Sequence, residues 1–258
     1  MSAADTANTG DSANSGTFRN TAGITVLYED NHLLVVEKPV NVLSQADSTR
    51  DPDMLTLLKQ DIKVRFNKPG EVYLGLVHRL DRPVGGVMVF ARTSKAASRI
   101  SEQIRIGQFK KTYLAVLHGS PEEKQGNLRH YLKKNEASNM VRVVPEGAEG
   151  GKLASLDYKI LAASGELSLA GIDLHTGRSH QIRVQFSHMG HPLYGDIRYA
   201  PGLNKIGQQL ALWSYRLSFT HPTRGIPLTF TSLPSRSFPW ELFSFDKRFF
   251  PEASSLEM

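Results

Sequence analysis

The sequence predicts an α+β fold: a single domain on a large mixed, mostly antiparallel sheet flanked by helices and loops. Short runs rich in β-branched, aromatic and apolar residues recur along the chain at mixed spacing, as strands do. Only a few stretches carry apolar residues at helical spacing, so strands dominate. The 258 residues suffice for one large domain or two small ones. No internal repeat and no second break in composition argues for a division.

In chain order, residues 1–23 are mostly Ala, Ser, Thr, Asn, Gly and Asp with a single aromatic, and read as a disordered polar tail. Residues 24–258 then form the domain. Ile24 to Asp30 and Leu33 to Glu37 read as a strand pair turned at Asn31-His32, with Lys38-Pro39 ending the second. From Asp53 to Asn67, Met54, Leu57, Leu58, Ile62 and Phe66 recur at helical spacing, and Asp51-Pro52 supplies the start signal. Tyr73 to Val77 and Val87 to Ala91 are apolar strands around a charged loop. A second helix is expected over Ser94 to Gly107, with Ser94 as N-cap, Ala97, Ile100 and Ile104 on one face and Gly107 closing it.

Further strands follow at Thr112 to Leu117, Gly126 to Leu132, Met140 to Val144, Leu153 to Leu161 and Glu166 to Leu174. Arg178 to Met189 reads as a third helix, before a loop rich in Gly, Pro, Asp and Tyr that runs to Gly207. Gln209 to Phe219 and Ile226 to Phe230 close the set as strands. The aromatic-rich stretch Ser235 to Phe250 is expected to form a short helix and a packed tail.

Composition narrows the function classes. Formal charge is +6, from 31 Lys and Arg against 25 Asp and Glu, compatible with a polyanionic partner. The absence of cysteine excludes disulfides, thiolate zinc sites and a cysteine nucleophile, and fits a reducing compartment. No segment reaches the roughly 20 apolar residues needed to span a bilayer. Residues 1–23 lack the apolar centre of a secretory signal. A cytoplasmic protein with no membrane partner is expected.

Three motifs carry chemistry. His78-Arg79-Leu80-Asp81-Arg82, closed by Pro83, Gly85 and Gly86, lies between two apolar runs. Such a loop is a rigid mount for reacting side chains, and Gly85-Gly86 allows a backbone or ligand to come close. The alternative is a surface turn in which Asp81 pairs with Arg79 or Arg82. The second motif is His175-Thr176-Gly177-Arg178-Ser179-His180-Gln181-Ile182-Arg183-Val184. As a helix it places His180, Arg183 and Ser187 on one stripe, and Ile182, Phe186 and Met189 on another that can bury. The third is Lys110-Lys111-Thr112-Tyr113-Leu114-Ala115, where Tyr113 in an apolar strand is either core or functional. The spacing of His175, His180, His188 and His191 matches no metal-binding pattern, so no metal is expected. Glu149 to Leu153 lacks the glycine and hydroxyl of a phosphate loop and reads as a turn.

Together the motifs resemble the RNA pseudouridine synthases of the RluA type, over about Ile24 to Phe230 and in the family's order. His-Arg-Leu-Asp matches the motif whose Asp is the nucleophile, here Asp81. One departure is Val84-Gly85-Gly86, where the family usually has Thr-Ser-Gly or similar; those positions shape the loop. The string ending in His180-Gln181-Ile182-Arg183 is similar to the family's Gly-Arg-Thr-His-Gln-Ile-Arg, with Ser179 for Thr. By that resemblance Arg183 salt-bridges Asp81. A nucleophile that must be ionised where water is expelled needs an adjacent cation, and the guanidinium fork can hold a carboxylate in one orientation. Tyr113 corresponds to the Tyr that stacks on the target base and assists the final deprotonation. Arg79 corresponds to the Arg that fills the space left by the flipped base.

The resemblance implies isomerisation of uridine in structured RNA, ribosomal or transfer, with His78, Arg79, Arg178, His180 and Gln181 contacting substrate. Substrate and product have the same atoms and oxidation state, so no cofactor is expected. The small RNA-binding domain that many relatives carry ahead of the catalytic one is expected to be missing, and the protein to be a monomer. A non-catalytic RNA-binding or chaperone protein on the same fold is the alternative.

Overall fold

The computed structural model describes residues 16–245. Twelve strands among them join in one sheet: β1 (Phe18–Arg19), β2 (Thr25–Glu29), β3 (Leu33–Lys38), β4 (Gly75–Leu76), β5 (Gly85–Ala91), β6 (Lys110–His118), β7 (Gln125–Asn135), β8 (Met140–Val144), β9 (Lys152–Ser164), β10 (Leu167–Leu174), β11 (Leu212–Thr220) and β12 (Pro227–Thr231). The order is β1-β2-β3-β5-β11-β6-β10-β9-β7-β8, with β4 beside β5 and β12 beside β11. Every pairing is antiparallel except β5 with β11. Three helices complete the fold: α1 (Met54–Arg65), α2 (Ser94–Arg105) and α3 (Gln181–His188).

Side-chain alternation explains why the centre of the sheet is apolar throughout. Leu34, Val36, Met88, Phe90, Tyr113, Ala115 and Leu117 face one layer, with Met54, Leu58 and Ile62 of α1 and Ile182 and Phe186 of α3. Their neighbours Leu33, Val35, Val87 and Val89 face the other layer, under Ile100 of α2. Leu114, Val116, Trp213 and Tyr215 are covered there by Trp240 and Phe243, next to the short 3-10 helix Trp240–Leu242. Residues 246–250 of the expected C-terminal tail lie outside the described residues.

Several boundaries differ from expectation for local reasons. The expected tail over residues 1–23 extends too far. Phe18–Arg19 pairs with β2, and Thr21 donates from both N–H and hydroxyl to Asp61 of α1, at 3.0 and 2.8 Å. Residues 1–15 lie outside the described residues. The N-cap of α2 is Thr93, whose side chain accepts from Ala96 N–H, and not Ser94. The strand expected over Tyr73 to Val77 shrinks to Gly75–Leu76. Beyond it β11 takes the edge of β5 at Gly85 and Gly86, and between them the ring of His78 accepts Val89 N–H at 3.0 Å.

Helix α3 starts three residues later than expected, because His180 is left-handed (φ 51°). It is not an amphipathic surface helix either. Gln181 through Phe186 are all buried.

The glycine pair is explained by backbone approach. A Cβ at Gly85 would lie 2.3 Å from the Trp213 ring, and one at Gly86 (φ +114°) 2.2 Å from Ser214 O. Gly86→Ala should therefore push β5 from β11 and destabilise the protein by roughly 2–4 kcal/mol. An unchanged midpoint in urea denaturation would show that this spacing adapts.

Candidate active site

Asp81, Tyr113, Arg183 and His180 come together on the face of the sheet that carries α1 and α3. Asp81 stands in the loop of residues 77–84 between β4 and β5, whose buried Leu80 and Val84 anchor it in the core. The backbone on both sides of Asp81 is clamped. Ser44 Oγ donates to Leu80 O at 2.7 Å and accepts Leu80 N–H at 3.1 Å. Lys38 Nζ donates to Pro39 O, Arg82 O and Val84 O at 2.9, 3.1 and 2.8 Å. Gln209 Nε2 reaches Pro83 O at 2.6 Å. Three acceptors match the three donors of a protonated ammonium. Burial pushes the Lys38 pKa down to about 7, while the nearby Asp81 charge opposes that shift.

The turn alternative for Asp81 is not what forms. Arg82 pairs with Asp51 at 2.6 Å and Arg79 is exposed, whereas Asp81 Oδ2 accepts from Arg183 Nη1 at 3.1 Å. Arg183 is buried, and its other nitrogens are spoken for. Nε and Nη2 donate to Asp196 at 2.7 and 2.8 Å, a two-bonded fork that leaves only Nη1 for Asp81. Asp196 is 1% exposed, while the Asp81 side chain keeps 31% of its surface open. One end of the chain of charges is sealed and the other faces solvent.

Tyr113, on β6, is buried beside Asp81. Burial foremost, then the Asp81 charge, pushes its pKa well up, and a hydrogen bond with Ser214 opposes this. The phenol is therefore neutral across the physiological range. His180 Nε2 lies 3.7 Å from Asp81 Oδ2.

Two expected substrate contacts lie elsewhere. His78 points to the sheet edge, its ring tilted against Phe109 at 5.5 Å, and burial pushes its pKa down to about 3. Gln181 is 3% exposed; its Oε1 accepts from Thr176 Oγ1 and Arg178 N–H, and its Nε2 donates to Ser155 O. It closes the turn that starts α3. Arg178 is exposed, with Nε donating to Leu153 O. Among the described residues no three His, Asp or Glu side chains converge to hold a metal ion.

Sequence reasoning missed Lys38, Ser44 and Gln209, and took Asp196 and Tyr199 only as loop residues. Asp196 had a signal, a lone carboxylate in the Gly195-Asp196 turn following the arginine motif.

A family model described as RNA pseudouridylate synthase matches residues 32–188. The chain belongs to this family. It is 32% identical over 200 residues to the uncharacterized RNA pseudouridine synthase YhcT of Bacillus subtilis, covering 76% of this chain and 64% of that protein. To YjbO of the same organism, also an uncharacterized RNA pseudouridine synthase, it is 34% identical over 198 residues, covering 76% and 68%. To ribosomal large subunit pseudouridine synthase C of Haemophilus influenzae it is 30% identical over 213 residues, covering 80% and 64%. The chain thus spans a little under two thirds of YhcT's length. Among solved structures, human RNA pseudouridylate synthase domain containing 4 superposes with a TM-score of 0.69 at 22% identity, covering 81% of this chain and 88% of that one. That likeness shows the shared α+β fold.

The buried end of the charge chain should dominate stability. Asp196→Asn leaves the Arg183 guanidinium without its fork and should destabilise the protein by about 3–5 kcal/mol in urea denaturation. A loss below 1 kcal/mol would mean that Arg183 has another partner of equal value.

His78 gives a pH signature. Its folded pKa of about 3 lies below the roughly 6.5 of an unfolded histidine, so the unfolded chain binds the extra proton between these values. Stability from this group is complete above pH 6.5 and is lost as the pH falls toward 3. His78→Gln keeps an acceptor for Val89 N–H but cannot titrate. It should flatten the acid limb of the stability profile by up to about 1.4 kcal/mol per pH unit. An acid limb as steep as that of the wild type would remove His78 as its source.

Proposed function

We propose that the protein is an RNA pseudouridine synthase that isomerises uridine in structured ribosomal or transfer RNA. The reaction exchanges the bond between the sugar C1′ and uracil N1 for one between C1′ and C5; the C5 proton leaves and N1 gains one. Nothing is oxidised or reduced. What carries this reading is a solvent-facing carboxylate, Asp81, with its backbone clamped on both sides and a fixed guanidinium 3.1 Å away. Such a group is pre-set for attack without reorganisation of its surroundings.

In this reading Asp81 is the catalytic carboxylate, Arg183 holds it ionised and oriented, and Tyr113 offers its ring to the extruded uracil. Stacking of this kind is worth roughly 1–3 kcal/mol, against a few kcal/mol for unstacking the base. Being neutral, Tyr113 can take the C5 proton only by giving up its own. In this reading Arg79, exposed two residues before Asp81, takes the space the base vacates. The relatives named for the large ribosomal subunit favour ribosomal RNA as substrate. A monomer in the cytoplasm fits the cysteine-free, modestly basic chain.

Asp81→Asn separates the enzyme from a binding module. It is nearly isosteric, yet a neutral amide cannot attack. Pseudouridine formation should fall to background while RNA affinity at the same salt is kept or slightly raised, because phosphate contacts dominate binding. Turnover comparable to wild type would show that Asp81 is not the catalyst. Pseudouridine mapping of cellular RNA with and without the gene would name the substrate.

A further inference from the structure

Asp81 has a second neighbour whose proton arrangement can be worked out from the hydrogen bonds around it. His180 stands left-handed immediately before α3, with a side chain only 9% exposed. Its Nδ1 is 2.7 Å from the Tyr199 hydroxyl oxygen, and its Nε2 is 3.7 Å from Asp81 Oδ2. The Tyr199 oxygen accepts Val141 N–H from β8 at 3.0 Å. The Tyr199 ring lies against the Arg183 guanidinium, 5.2 Å from its centre. Tyr199 itself is fixed by its backbone, since its N–H is 3.3 Å from Asp196 Oδ1 and its carbonyl accepts from Ser187 Oγ at 2.9 Å.

The protons can be counted. A nitrogen facing a carboxylate must carry hydrogen, because two lone pairs would repel. Around the ring, Asp81 and Asp196 favour the imidazolium, while Arg183, Arg198 and above all burial oppose it, so the pKa lies below the ordinary value. A neutral ring has one proton, and Nε2 holds it. Nδ1 is then an acceptor, and Tyr199, whose oxygen already receives Val141 N–H, has one proton to donate there. Every donor is used once: Val141 to Tyr199, Tyr199 to His180, His180 toward Asp81.

We propose that Tyr199 and His180 form a relay of positioning residues, in which Tyr199 fixes the proton of neutral His180 on Nε2 so that it donates to Asp81. The relay deepens the functional reading above and rests on Asp81 being the reacting carboxylate. At 3.7 Å the last link is longer than a hydrogen bond, and a small rotation of the Asp81 side chain closes it. Catalytic hydrogen bonds are often long before substrate is bound and tighten with it. His180 Nε2 and Arg183 Nη1 both point at Asp81 Oδ2, and without the Tyr199 hydroxyl the His180 proton can move to Nδ1 and turn a lone pair on Asp81.

The test uses the full chain with 15N-labelled histidine, its His180 signals assigned by their absence in His180→Gln. In the wild type at neutral pH, long-range 1H–15N spectra should show Nε2 protonated and Nδ1 as an acceptor. Tyr199→Phe keeps the ring against Arg183 and removes only the hydroxyl. It should give a mixture of tautomers, lower kcat about tenfold, the scale of one lost hydrogen bond, and leave KM unchanged. Nδ1 protonation in the wild type, or wild-type kcat in Tyr199→Phe, would overturn the relay. A wild-type chain that forms no pseudouridine yet shows Nε2 protonated would overturn the functional reading and keep the proton arrangement. Full activity with the opposite tautomer would do the reverse.

Discussion

Arg183 sits between two carboxylates of unequal burial, and the site depends on that inequality. The guanidinium of a residue only 6% exposed would be a heavy liability without a partner. Asp196 meets it with a two-bonded fork in the interior, and Asp196 Oδ1 also accepts backbone N–H from Arg198 and Tyr199. Because two of the three guanidinium nitrogens are held inside, the third has a fixed direction. Asp81 is met by a bracket built into the core, not by a surface side chain that would have to be ordered. This is also why α3 is buried on every side: it carries the bracket through the apolar layer between Ile182 and Phe186.

The sheet supplies the opposing jaw. The loop of residues 77–84 is short of backbone partners, since β4 leaves the edge of β5 after two residues. Side chains take over from the missing ladder. His78 caps Val89 N–H, Ser44 holds both backbone groups of Leu80, and Lys38 gathers the carbonyls of Arg82 and Val84. Ser44 and Lys38 are polar groups whose burial is compensated by hydrogen bonds, whereas His78 satisfies only Nε2 and buries Nδ1 without a partner. The same contacts set the direction in which Asp81 leaves the chain, so stability and pre-organisation here have one origin.

Most of the sheet was legible because alternation along Leu33 to Val36 and Val87 to Phe90 is a local property, as is the helical spacing of Leu58 and Ile62. The proposed site was legible only through motif resemblance; Asp81 and Arg183 meet across a separation of 102 residues, which no periodicity reports. What failed did so for the same reason. His180 reads as helical until its left-handed backbone is seen. Gln181 and His78 are polar residues inside motifs, and nothing local distinguishes a side chain facing substrate from one closing a turn or capping a strand. Lys38 looked like a strand end because its three acceptors belong to its neighbour Pro39 and to a loop more than 40 residues away. Phe18 and Arg19 looked like tail because a two-residue strand has no pattern of its own.

Removing His78 and Gln181 from the substrate-facing set sharpens how charge is divided. The buried cations, Lys38 and Arg183, are consumed by carbonyls and carboxylates, so they act on Asp81 and add little to the field seen from solvent. Arg79 and Arg178 are exposed, on the loop before Asp81 and on the turn before α3. Both are open to a polyanion, and such contacts are screened by salt in the ordinary way. The Arg183–Asp196 pair is shielded from salt by burial. Under the proposed function, attraction of the substrate and orientation of Asp81 fall to different arginines, and a change in ionic strength acts mainly on the first.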